Sequence, residues 1–529
     1  YFPPTDWSKK NPVITGLTLW RTIIMVNRFK TVAAAALLTL TGAYASAATP
    51  DNALVVAQNI DDIVSIDPAQ AYEFSSGEFV ANVYDQLVQY DAEDTTTLVA
   101  GLASDWEIDA ADQEIVFTLR DGVTFHSGNP LRTDDVLYSF ERVIKLNKAP
   151  AFILTQLGWT PDNVLDMVTA DGNQVTVRYE GEFAPSFVMN VLASRPASIV
   201  DAETVKAQAV DGDMGNNWLN RNSAGTGPFK LRTYRPAELL IMDANPDYFA
   251  GAPEMDSVII RHVAEAATQR LLLTSGDVDL AMNLTPDQVS GLAGNDEVRV
   301  ETFPQAAVHF LSFNQMNDAL TSEALWEAAR YLVDYNGMAD SFLNGQMRVH
   351  QAFWPAGFPG AVTETPYTYD PERARSILED AGFDLPMTMT LDVINSAPFT
   401  DMAQALQATF APVGLNFDIL PGTGAQVITK YRARTHEAML LYWGPDFMDP
   451  HSNAKAFSYN SDNSDDNYQS TTTWRNGWQP SDAMNEMTMA ALSEQDADQR
   501  LAMYEELQRG VQESSPIVIM FQATKQVAM

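Results

Sequence analysis

The chain contains no cysteine among its 529 residues. Disulfides, thiolate metal centres, a cysteine nucleophile and a lipid-bearing N-terminal cysteine are therefore excluded. Positive charge is scarce as well: 32 basic residues stand against 69 acidic ones, a formal net charge of −37. Phosphate backbones and anionic lipid repel such a surface, which argues against nucleic acid as a partner. The six histidines (126, 262, 309, 350, 436 and 451) show no ligand-like spacing. A Gly-x-Ser-x-Gly elbow, a Walker phosphate loop and a His-Glu-x-x-His motif are all missing. Acidic residues are plentiful, yet none is marked out as a glycosidase-like pair. The expectation is a non-enzymatic protein with no cofactor.

What is present describes a globular chain, 46% hydrophobic and 19% charged, long enough for about two to four domains. Near its start, Arg28 and Lys30 precede the apolar run Val32 to Leu40 and the small-x-small site Ala45-Ser46-Ala47. That order is a secretory signal, and the run is far short of the ~20 apolar residues of a membrane span. Residues 1–24 are thus expected to be upstream sequence, 25–47 a cleaved signal from Met25, and the mature protein periplasmic from about Ala48.

Strand patterns occur at Ala53 to Ala57, Ile115 to Leu119, Gln174 to Tyr179, Leu415 to Leu420 and Ala438 to Leu441. Helix patterns cover Glu78 to Val88, Thr133 to Ile144, Met402 to Val413, and a stretch opened by Asp370-Pro371 and closed by Gly382. Gly225-Thr226-Gly227 lacks the third glycine of a dinucleotide fingerprint and is expected to form a tight turn. Asp462-x-Ser464-x-Asp466 has calcium-loop spacing without the glycine or final glutamate that such a loop needs, so a solvated loop is expected. The mixture of strands and helices without a fixed repeat predicts an α/β architecture of several lobes.

The stretch from Tyr442 to Pro450 concentrates chemistry. It follows an apolar run and combines Tyr442, Trp443 and Phe447 with Asp446, Asp449 and two loop-forming prolines. Aromatic faces beside a few placed polar groups suit a small-molecule pocket; a polar turn after a core strand is the other reading. His451 next to it reads as a surface-loop histidine or as a group touching a ligand or metal chelate.

Several stretches together resemble the extracytoplasmic solute-binding proteins of peptide/nickel-type ABC importers. They include Ser65 to Gln70 with Asn82 to Val88, Leu98 to Ala103 with Trp106, and Phe117 to Phe125. Gly225 to Phe229, Asn245 to Tyr248, Gly276 to Leu280 and Tyr369 to Arg375 follow in the family's order. The resemblance implies an α/β, two-lobed periplasmic-binding-protein fold of type II, with an additional inserted domain and a hinged inter-lobe ligand cleft. It places a discontinuous first lobe at 48–84, 182–302 and 516–529, the inserted domain at 85–181, and the second lobe at 303–515. A monomer that captures oligopeptides or related amine-bearing solutes is implied, with a membrane permease and cytoplasmic ATPase as partners. An opine, an oligosaccharide or a nickel chelate is the alternative solute.

By the same resemblance Asp446 falls where peptide binders pair a carboxylate with the ligand ammonium, and Trp443 where an aromatic lines a side-chain pocket; Tyr442 and Phe447 flank them. Asp449 is expected to cap or tie the loop. Phe74, Ser75 and Ser76 fall on a loop at the first-lobe side of the cleft, and Trp354 could supply an aromatic wall. Two departures stand out. The arginines that some relatives use for a ligand carboxylate have no counterpart at Asn395 to Pro398 or at Leu440, and Arg432 and Arg434 read as strand-edge charges. The chain also ends at Met529, where relatives usually continue for some tens of residues; truncation and a divergent tail are both open.

Overall fold

Apolar strands of five to fourteen residues organise the molecule, and the longest two join its halves. The computed structural model describes residues 49–91, 94, 96–467, 469 and 471–529; the segments expected upstream and as an export signal, 1–24 and 25–47, lie outside them. Among the described residues the largest sheet has eleven strands. Its first half is built on Ala53–Gln58, which pairs in parallel with Ser257–His262 on one side and Leu280–Ala281 on the other. Leu239–Ala244 and Phe229–Arg235 extend that half antiparallel. In the second half Met387–Ile394 lies in parallel between Leu415–Gly422 and Ala438–Trp443. Burial on both faces explains why Ala438 to Leu441 is an unbroken apolar run.

Val300–Phe313 and Ile517–Ala528 bridge the halves as an antiparallel ribbon. Their outer ends, Val300 to Pro304 with Thr524 to Ala528, adjoin the first half through Ala281. Their inner ends, Val308 to Ser312 with Ile517 to Gln522, adjoin Ala438–Trp443. The register breaks between Pro304 and Val308, where three residues of one strand face a single residue of the other. Such an irregularity bends a ribbon and marks the crossing between lobes.

A separate antiparallel sheet, in the order Ala103–Asp109, Glu114–Leu119, Gln174–Arg178 and Val168–Asp171, packs under the helix Thr133–Leu146. Ile115, Phe117, Val136, Phe140, Val175 and Val177 form its core. The helix is tied to the first half by a buried ion pair: Arg142 Nη1 donates to Asp67 Oδ1 at 2.7 Å, and Asn216 donates to the other carboxylate oxygen at 2.6 Å. The sequence Ser65-Ile66-Asp67-Pro68 supplies this joint.

One helix boundary differs from the sequence expectation and another agrees with it. The helix read as Glu78 to Val88 spans Phe74–Val83. It begins earlier because Asp62 accepts the Ser75 N–H at 3.1 Å and Glu73 accepts the Ser76 hydroxyl at 3.2 Å. It ends earlier because the Val83 carbonyl is taken by the Gly227 N–H at 3.1 Å. The helix expected from Asp370 is seen at Pro371–Asp380, with Asp370 Oδ1 accepting the Arg373 N–H at 2.9 Å.

Candidate functional site

Strand Ala438–Trp443 ends in two aromatics, Tyr442 and Trp443. Tyr442 sits opposite His309 on the bridging strand, rings 5.6 Å apart and near-parallel, with Phe399 5.9 Å from the tyrosine. Tyr442 remains 41% exposed, so this aromatic surface faces outward from the core. Trp443 follows, half-buried, with the Arg475 guanidinium 5.7 Å from its ring centroid. Its indole N–H is buried without a hydrogen-bond partner among the described residues.

Asp446 comes next. Its N–H donates to the Ser452 hydroxyl at 2.9 Å, fixing the turn. Its carboxylate accepts the Tyr72 hydroxyl at 2.6 Å, a contact between residues 374 positions apart that joins the two halves. Burial pushes the Asp446 carboxyl above the usual carboxylate range; the Tyr72 hydrogen bond and the charges of Arg195 and Arg475 pull it back in part. Burial and the Asp446 charge push the Tyr72 phenol up, so it stays a donor. Tyr72 and Phe74 are 43% and 63% exposed.

The remaining sequence candidates divide. Ser75 and Ser76 are buried in the first turn of a helix, not on a loop, and the Ser76 hydroxyl is committed to Glu73. Phe447 turns away from Tyr442 into a core, edge-on to Phe187 at 5.5 Å. Trp354 is buried in the second-lobe core and donates its indole N–H to the Pro359 carbonyl at 3.0 Å; the aromatic wall expected there is core packing. Asp449 ties the loop: it accepts the His451 N–H at 2.9 Å and grips Arg500 through both oxygens at 2.7 and 2.9 Å. His451 is no surface-loop residue. It is buried against the Tyr504 hydroxyl at 3.1 Å, and burial lowers its pKa to about 3. Arg434 departs from the strand-edge reading too, being buried and held by Asp465 at 3.0 Å and Asn463 at 2.7 Å with its guanidinium over Trp474.

Sequence reasoning missed three groups here: Tyr72 as a contact to Asp446, and the guanidiniums of Arg195 and Arg475. Arg195 opens a single turn, Arg195–Ala197, that packs on the helix Phe74–Val83. The one local signal was Gly77, where a Cβ would overlap Arg195 Nη1.

Two α/β lobes crossed by a strand ribbon and touching through Tyr72 and Asp446 have the build of a hinged binding protein. The chain belongs to the bacterial extracellular solute-binding proteins, family 5, whose middle region matches residues 97–465. It is 28% identical over 490 residues to the probable D,D-dipeptide-binding periplasmic protein DdpA of Escherichia coli (strain K12), covering 92% of this chain and 91% of that one. Its fold is similar to that of the periplasmic binding protein DppA from Helicobacter pylori in complex with the peptide STSA, at TM-score 0.74 and 23% identity over 90% of this chain and 93% of that one. NikZ from Campylobacter jejuni in complex with Ni(L-His) gives TM-score 0.73 and 19% identity over 91% and 94%.

Proposed function

We propose that the chain is the periplasmic substrate-binding component of an ABC importer. It encloses an oligopeptide or related amine-bearing solute between its lobes and delivers it to a membrane permease driven by a cytoplasmic ATPase. It acts as a monomer and catalyses no reaction. Among the described residues no helix is long and apolar enough to cross a membrane. Solute that touches both lobes favours the closed form, and the permease reads that population shift.

The observation that carries the reading is Asp446, a carboxylate at the lobe junction whose charged form burial disfavours and a ligand ammonium would restore. The Tyr442 and Trp443 faces would hold the adjoining apolar parts of the solute, with Phe74 on the other wall. Mass spectrometry of whatever co-purifies identifies the solute; an opine, an oligosaccharide or a nickel chelate would replace the peptide reading. A charge-assisted contact contributes about 1.5–3 kcal/mol. Asp446→Ala should therefore weaken free-amino peptides about ten- to hundredfold in calorimetry and leave N-acetylated ones nearly unchanged. Equal loss for both would refute the ammonium role.

A further inference from the structure

We propose that Met316 is a site of reversible oxidation: its thioether takes up an oxygen atom, and the donors that already face the sulfur hold the sulfoxide and fasten the loop 462–467. The assignment stands on its own geometry and does not depend on which solute the protein carries. In a chain without cysteine, methionine is the side chain left to react with a peroxide through sulfur.

Met316 follows the bridging strand Val300–Phe313 and is 52% exposed, more than Met255 at 38% or Met489 at 42%. Its sulfur nevertheless has two donors: Arg434 Nη2 lies 3.0 Å away and Asn463 Nδ2 3.9 Å away. Asn314 sets that approach, accepting the Met316 N–H at 3.0 Å and donating to the Arg434 carbonyl at 2.9 Å. Gly477 leaves room for the side chain, since a Cβ there would stand 2.8 Å from Met316 Cγ and Sδ. Arg434 is buried, held by Asp465 at 3.0 Å and the Asn463 side chain at 2.7 Å, with its guanidinium 4.3 Å from the Trp474 centroid. Its Nε–H is buried without a partner among the described residues, and a thioether is only a weak acceptor for Nη2. The guanidinium thus has donor capacity to spare beside an accessible sulfur.

In the reaction the sulfur attacks one oxygen of hydrogen peroxide. The S–O bond forms, the O–O bond breaks, and the second oxygen leaves as water with both protons; sulfur loses two electrons and the peroxide gains them. Sulfoxide reductases return the product to methionine. In an apolar core the new oxygen is damaging, because nothing there pairs with it. At Met316 it puts a strong acceptor in place of a weak one beside a cation, and charge-assisted hydrogen bonds are roughly twice as strong as neutral ones. Arg434 Nη1 also donates to the Asn463 carbonyl at 3.0 Å, and the Trp474 indole N–H donates to the Ser464 carbonyl at 3.2 Å. What steadies Arg434 therefore steadies the loop, and oxidation here ties residues 462–467 down instead of loosening them.

The test uses the full mature protein treated with limiting hydrogen peroxide. Peptide mass spectrometry quantifies sulfoxide at each methionine, and hydrogen exchange reads the backbone. Met316 should be oxidised at least as far as Met255 and Met489. Exchange in 462–467 should slow about twofold or more in the oxidised wild type. Oxidised Met316→Leu, which keeps every other methionine, should show no such slowing. In untreated protein Met316→Gln, whose amide oxygen takes the place of the sulfoxide oxygen, should slow the same segment relative to Met316→Leu. A sulfoxide reductase should reverse the wild-type change and leave Met316→Gln as it is. Both substitutions fall on an exposed side chain, and melting curves check that each variant is folded. Faster exchange after oxidation would overturn the proposal. So would equal exchange in the Gln and Leu variants, or a Met316 that stays reduced while Met255 and Met489 oxidise.

Discussion

At the scale of single residues, the two aspartates of the Tyr442 to Pro450 stretch are held in different ways. Asp449 is fully buried, grips Arg500 through both oxygens and caps the next turn through the His451 N–H. Its removal leaves the Arg500 charge buried and without its carboxylate, a defect that costs about 3–5 kcal/mol. Asp449→Ala should therefore lower the urea midpoint strongly, whereas Asp446→Ala should change affinity with little effect on that midpoint. The tie at Asp449 was legible because Asp before Pro is a recognisable loop tie. The sequence could not show that Phe447, one residue after Asp446, points into another core against Phe187. Nor could it pair Tyr72 with Asp446 or place the charges of Arg195 and Arg475 where they act on that pair, since such relations are set by packing between distant segments.

At the scale of elements, glycine decides where a helix stops. Gly225 and Gly227 let their turn approach the end of Phe74–Val83 so closely that a Cβ on Gly225 would overlap the Val83 carbonyl oxygen. The Gly227 N–H then takes that carbonyl. Backbone cannot yield as a flexible side chain does, so Gly225→Ala should cost about 1–3 kcal/mol. Gly424, at the start of Gly424–Arg432, has nothing within 4 Å of the place an alanine methyl would take, so Gly424→Ala should be nearly neutral. Thermal melts of the two variants compare them directly. The glycine turn was legible as a turn, and the strand Phe229–Arg235 follows it as expected. Its helix-stopping role was not, because the two segments lie more than a hundred residues apart. Helices with strong local signals, such as the one capped by Asp370, were placed from sequence within a few residues.

Across the whole molecule, buried histidines set the response to acid. Burial lowers the pKa of His126, His309, His350 and His436 to about 4 and that of His451 to about 3. Each is neutral in the folded chain and titrates near 6.5 when unfolded, so between about pH 6.5 and 4 the unfolded state binds more protons. Stability falls as pH drops through that window, by at most about 1.4 kcal/mol per unit for each histidine. Asp85, Asp135 and Asp446, whose carboxyls burial raises, take up protons more readily in the folded state than in the unfolded one and offset part of the loss. The urea midpoint should be clearly lower at pH 5 than at pH 7.5; equal midpoints would count against this balance. The two-lobed class was legible because family-like segments run along most of the chain. The ribbon is a different matter: Ile517–Ala528, expected wholly in the first lobe, is hydrogen-bonded through both.

That ribbon limits how the protein can move. Both of its strands run through both halves, so the halves stay joined along paired backbone however they move. The irregular register between Pro304 and Val308 leaves bending as the accessible coordinate. Residues 305–307, which the strand ladder skips, are where the ribbon yields.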